Sequence, residues 1–235
     1  MTYTAEIFSS SIIAVGDFNP AIFSPDWLEI NNLVGKDDAD IARGEGIGRP
    51  MLVSHQVSTF ETEWFALQVL ENQFSLSSKG VLSPALQDLA VSIFQLVPHT
   101  PITSVGLNFM GHFKIASESE YHRIGDILAP KKIWDTLYQD SSTGLADLTI
   151  RIQQGRRGVS LEEKTVKNIS LQPSKKIKCG VFMSYNDHHE MSAAENGLRL
   201  AEQVSNLVEN RWQLSWRDAE RVFNSVLSLA LGELE

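Results

Sequence analysis

Apolar and polar residues alternate in eight short runs: "SSIIAVGDF", "MLVSHQVSTF", "WFALQVL", "QFSLS", "SVGLNFMGHFKI", "LADLTIRI", "VKNISLQ" and "IKCGVFMSY". Rich in Val, Ile and Phe and repeating at a period of two, these runs predict strands. Between them, serine recurs where helices should begin. "SPDWLEI" at 24 and "SPALQDL" at 83 place Ser at the N-cap and Pro at the first helical position, where the missing N–H removes nothing and φ is already helical. Ser117 with Glu120, Ser192 with Glu195 and Ser215 with Asp218 set a carboxylate three residues after a serine, the capping-box spacing.

In order, the elements read strand (10–18), helix (25–34), three strands (51–60, 63–70, 72–78) and helix (84–97). They continue as strand (103–115), helix (118–138, interrupted at Pro130), three strands (145–153, 165–172, 176–186) and helix (193–231, interrupted near Ser215). A β-α-β-β-β-α unit is therefore read twice, over residues 1–100 and 101–235, fused into one globular unit. Short links within each strand triplet call for antiparallel hairpins. The expected fold is α+β, with duplicated units forming one curved antiparallel sheet of about eight strands and helices packed on one face.

The run from Ser104 shows how the faces divide. Val105, Leu107, Phe109, Phe113 and Ile115 share one parity and should meet the helices. Asn108, Met110, His112 and Lys114 share the other, a face neither plainly core nor plainly solvated, on which a partner could lie.

Composition and charge narrow the partners. The chain has 235 residues and a net charge of −9. Residues 1–100 hold 4 Lys/Arg against 12 Asp/Glu, residues 101–178 hold 12 against 8, and residues 179–235 hold 4 against 9. An acidic chain repels phosphate backbones, and the basic middle reads as strand edges and hairpin tips, so nucleic acid is disfavoured. With no long apolar span and an N-terminus carrying Glu6 and Asp17, the sequence reads as a soluble, cytoplasmic protein with no membrane partner. Cys179, the single cysteine, is expected as a small buried hydrophobe in a strand.

Candidate chemistry centres on "YNDHHEM", where Asp187, His188, His189 and Glu190 are adjacent. In extended backbone His188 and His189 point to opposite faces and cannot share one metal, whereas zinc ligands from a single segment come at spacings such as His-x-x-x-His. The segment is read as a turn leading to the helix at Ser192, with His112 the one other histidine expected to approach it. "ARGEGIGRP", residues 42–50, follows a helix and leads into a strand, the reverse of a dinucleotide fingerprint. Residues 35–50 are read as a long loop, mobile in the free protein and a candidate for partner binding beside the sheet face, with Ile41 and Ile47 its only large apolar side chains. No nucleophile elbow or phosphate-binding loop is present. Trp27, Trp134, Trp212 and Trp216 are expected as core anchors in helices, and Trp64 in a strand.

The order of elements, with "FSPDWL", "VGLNFMGHF" and "AEQVSNLVENRWQLSWRDAERVF", resembles a sporadically distributed family of uncharacterised bacterial proteins of about this length. Its members open with a strand and helix, carry a central "GLRYINR"-like strand, and close with a helix, a short break and a final helix. This chain has "GLNFMGH" where the family tends to have Tyr, Asn and Arg, so no role for those residues carries over. The resemblance implies no activity.

The sequence thus favours a non-enzymatic adaptor that binds another protein without a cofactor, and it allows a homo-oligomer. Its expected binding residues are Asn108, Met110, His112, Lys114, Asp187, His188 and His189. The alternative is a small-ligand protein or metal-dependent enzyme whose cavity lies between sheet and helices, with His112 and the 187–190 turn as its polar groups.

Overall fold

The computed structural model describes residues 2–44, 51–80, 84–138, 141–153, 165–191, 193 and 200–232. The strands are β1 (Ile7–Gly16), β2 (Leu52–Val53), β3 (Val57–Glu61), β4 (Phe65–Leu70), β5 (Gln73–Ser78), β6 (Ile102–Lys114), β7 (Leu148–Gln153), β8 (Thr165–Pro173) and β9 (Gly180–Glu190). They form one antiparallel sheet in the order β2-β3-β4-β5-β1-β6-β9-β8-β7. The helices are α1 (Pro25–Ile30), α2 (Lys36–Ala42), α3 (Pro84–Leu96), α4 (Glu118–Leu128), α5 (Lys132–Leu137) and α6 (Ala201–Leu231).

The fold is α+β, as the alternating runs and serine caps predict. Nine strands are present among the described residues rather than about eight, because Ser54 splits the expected 51–60 strand. Its hydroxyl accepts from the amides of Gln56 and Val57 and turns the chain between β2 and β3. Reading outward from the central β1–β6 pair, the strands run β5-β4-β3-β2 on one side and β9-β8-β7 on the other. Gly16 ends β1 at a register shift, where a Cβ would lie 2.2 Å from the Pro101 carbonyl. Only glycine lets the two backbones approach this closely.

One sheet face carries the core. Ile12, Phe74, Leu107 and Phe109 project from the central strands and are fully buried. They meet α3 and a buried stripe on α6 that recurs every three or four residues (Val204, Val208, Trp212, Ser215, Ala219, Phe223), the period of a helix lying on a sheet. Ring contacts lock the layers: Phe109 lies 4.9 Å from Trp212 and 5.5 Å from Trp216, and Phe74 lies 5.0 Å from Phe94. Truncating a buried tryptophan such as Trp212 typically costs about 3–5 kcal/mol.

Two caps form as expected: Ser24 accepts from the Trp27 amide and Ser117 from the Glu120 amide. The break at Pro130 separates α4 from α5. Several expectations are corrected. Residues 36–42 are helix α2 rather than loop, because Ala39 and Ala42 enter the core and Arg43 ties the segment to Asp26, Glu29 and Asp40. Residues 45–50 lie outside the described residues. Helix α6 runs unbroken through Ser215, whose hydroxyl turns inward instead of capping a new helix. Trp134 is 54% exposed on α5, a helix with no buried residue, and so is not a core anchor. Cys179 is half-buried with φ of 51°, in the turn before β9 rather than within the strand.

Candidate functional site

Strand β6 spans thirteen residues and offers β9 a backbone partner for every residue from Gly180 to Glu190. For that reason Asp187–Glu190 is not the turn read from its polarity; it continues β9, with Asp187 opposite Leu107 and His189 opposite Val105. Strand alternation then divides the sequence-derived residues between two faces. Asn108, Met110, His112, Lys114 and His188 lie on the face away from the helices. Asp187 and His189, only 1% and 3% exposed, lie under α6. His112 therefore does not approach Asp187 or His189. Its Nδ1 is 2.8 Å from the Ser174 hydroxyl and its ring packs 4.8 Å from Phe182. Burial, then the charge of Lys176, lowers its pKa below the ordinary histidine value.

On the open face, registers of adjacent strands align Ser11, Asn108, Asn186, Asn168 and Arg151 in one row across β1, β6, β9, β8 and β7. Their side chains bond in sequence. Arg151 Nε donates to Asn168 Oδ1 (3.2 Å), Asn168 Nδ2 to Asn186 Oδ1 (3.2 Å), and Asn186 Nδ2 to Asn108 Oδ1 (2.7 Å). Asn108 Nδ2 ends the chain on the carbonyls of Gly106 and Ser11 (3.2 and 3.4 Å). The Asn186 amide extends over Gly106, where a Cβ would come within 2.7 Å of Nδ2. One row further, the Ser170 and Ser184 hydroxyls are 2.6 Å apart. Among the described residues no helix packs on this face.

The helix face holds a polar layer of different character. Ser215 donates to Asp187 Oδ2 at 2.5 Å. Arg211 Nη2 stands 3.9 Å from the same oxygen, and His189 Nε2 3.3 Å from it without the alignment of a hydrogen bond. Burial alone would raise the Asp187 pKa, but His189, Ser215 and Arg211 outweigh it and hold the carboxyl below its ordinary range. A turn further along α6, Asp218 accepts from the Tyr185 hydroxyl at 2.6 Å and pairs with Lys167 and Arg221. These bonds likewise overcome burial and depress the Asp218 carboxyl. Burial, then the bond to Asp218, pushes the Tyr185 phenol up.

Chemically, the layer is a latch rather than a nucleophilic triad. In a Ser-His-Asp triad the serine passes its proton to the histidine, whereas Ser215 and His189 both face one oxygen of Asp187. Asp187 Oδ1, His189 Nε2, Arg211 Nε and Trp212 Nε1 are buried with no hydrogen-bond partner among the described residues. Also among the described residues, no group of three His, Cys, Asp or Glu side chains converges as a metal would require. No described helix is long and apolar enough to cross a membrane.

Sequence reasoning found Asn108 but missed Asn186, Asn168 and Arg151, and it missed Ser215 and Arg211 beside Asp187. The signal for the row was there: each asparagine falls on the open-face parity of its strand. Register between strands distant in sequence was needed to join them.

No family model matches the chain, and no curated protein matches its sequence.

Proposed function

We propose that the protein is a non-enzymatic adaptor that binds another protein through the open face of its sheet. The observation carrying this reading is the bonded row from Arg151 to Asn108 on a face that no described helix covers. Each amide is held by its neighbour before any partner arrives, so less side-chain freedom is lost on binding than on an unordered polar surface. The row is uncharged apart from Arg151, which with a chain charge of −9 favours a polar protein surface over a phosphate backbone. The strand order about the β1–β6 pair supports reading the two halves as an internal duplication whose shared sheet made this face wide enough for a macromolecule.

The test is site-specific photo-crosslinking in cells, with the probe at 110 or 188, beside the row on the open face, or at the exposed helix position 214. Adducts to a defined protein from 110 and 188 but not from 214, abolished by Asn168→Arg without a change in thermal unfolding, support the reading. Adducts confined to 214, or none from the open face, overturn it.

A further inference from the structure

On the opposite side of the sheet, the segment leading into β1 lies along α6 and the two enclose a cavity of about 500 Å³. That volume falls within the range of small-molecule sites. Five aromatic side chains line it: Tyr3, Phe8, Phe113, Trp216 and Phe223. The wall is built in advance. Phe8 meets Trp216 edge-on at 4.7 Å, and Phe113 meets Phe223 edge-on at 5.6 Å. The Asn224 amide fastens the N-terminal segment to the helix, its Oδ1 accepting from the Tyr3 backbone N–H at 2.6 Å and its Nδ2 donating to the Glu220 carbonyl at 3.0 Å. Among the described residues two lining side chains are charged, Glu6 and Glu220; both are exposed, both are acidic, and no described Lys, Arg or His stands among the lining.

The chemistry of such a wall discriminates by charge. Aromatic rings attract a cation through their quadrupole, most strongly where water is excluded, and two carboxylates at the opening add attraction of the same sign. An anion of equal size would meet the same carboxylates as repulsion. We propose that this cavity binds a small organic cation with an apolar body, of the alkylammonium or arylalkylammonium class. The apolar body fills the aromatic cavity and the ammonium group sits toward Glu220. The site is independent of the open face: Phe8 and Phe113 point to the helix side of β1 and β6, whereas the amide row points away.

Isothermal titration of the full chain with benzyltrimethylammonium, benzyl alcohol and phenylacetate tests this, since the three share a ring and differ in charge. The cation should bind saturably, about tenfold or more tighter than the neutral alcohol, a ratio equivalent to ~1.4 kcal/mol, with phenylacetate weakest. Glu220→Gln, an exposed change that leaves the wall intact, should weaken the cation severalfold and leave the alcohol unchanged. Trp216→Ala should weaken both. Equal affinity for cation and alcohol, tighter binding of phenylacetate, insensitivity to Glu220→Gln, or no saturable binding of the cation would each overturn the proposal.

Discussion

Ser215, in the middle of α6, donates a 2.5 Å hydrogen bond to Asp187, buried in β9 twenty-eight residues earlier in the chain. The bond draws a carboxylate that no solvent reaches onto the helix that covers it. Asp187→Ala leaves the Ser215 hydroxyl without its acceptor and takes the nearby carboxylate from Arg211, and a buried group so abandoned costs about 1–3 kcal/mol. Ser215→Ala should cost ~1–2 kcal/mol, and the double variant less than the sum, with a coupling of at least about 0.5 kcal/mol. Urea denaturation of the four proteins measures all three quantities.

The two adjacent histidines should behave oppositely. His188 is half-exposed on the open face, whereas His189 is 3% exposed beneath α6. His188→Ala should change unfolding free energy by less than about 0.5 kcal/mol, and His189→Ala should lower it by ~1–3 kcal/mol through the lost packing beside Asp187. Chemical denaturation of the single variants separates them; equal effects would contradict the alternation seen in β9.

Stability should fall at both ends of the pH scale for identifiable reasons. Asp187 and Asp218 are held below the ordinary carboxyl range, so their contribution is fully present above about pH 4 and is lost as pH falls. The Tyr185 phenol is raised, so the folded state keeps a proton that the unfolded chain releases above about pH 10. Stability should therefore decline in that alkaline window by up to ~1.4 kcal/mol per pH unit. Tyr185→Phe should remove most of that slope, as read from guanidinium midpoints measured from pH 8 to 11.

Gly106→Ala probes the open face without touching the core. Its new Cβ crowds the movable end of Asn186, at 2.7 Å, and otherwise makes an ordinary contact with Asn108 Nδ2 at 3.6 Å, so the fold should lose about 1 kcal/mol or less while the Asn186–Asn108 bond breaks. Crosslinking from position 110 should weaken in this variant while its thermal unfolding stays close to that of the parent. Equal crosslinking would show that the ordering of the amides is irrelevant to binding.

How far the sequence disclosed this structure depended on the range of the forces at each position. The faces of β6 were legible because parity is a local property: Val105, Leu107 and Phe109 could only go one way and Asn108 and His112 the other. The Ser24 and Ser117 caps were legible for the same reason, a hydroxyl reaching three residues ahead. Asp187–Glu190 misled because four consecutive polar residues favour a turn, and what overrides that preference lies elsewhere: the length of β6, and Ser215 and Arg211 on a distant helix. Ser215 misled in the same way, its cap-like spacing to Asp218 hiding that both side chains serve strand residues. Helix α2 was missed because its acidic run looked solvated, while Ala39 and Ala42 are too small to register as an apolar stripe.

The central position of the β1–β6 pair carries a consequence for any attempt to divide the chain near residue 100. Each fragment would present the longest strand of its own half as a bare edge, with ten residues in one case and thirteen in the other, and such edges template pairing with any available strand. In the intact polypeptide that pairing is intramolecular, so the seam closes independently of protein concentration. The severed fragments would face second-order kinetics and compete with self-association, making the peptide link around Pro101 a device that sets assembly order as much as a connection between strands.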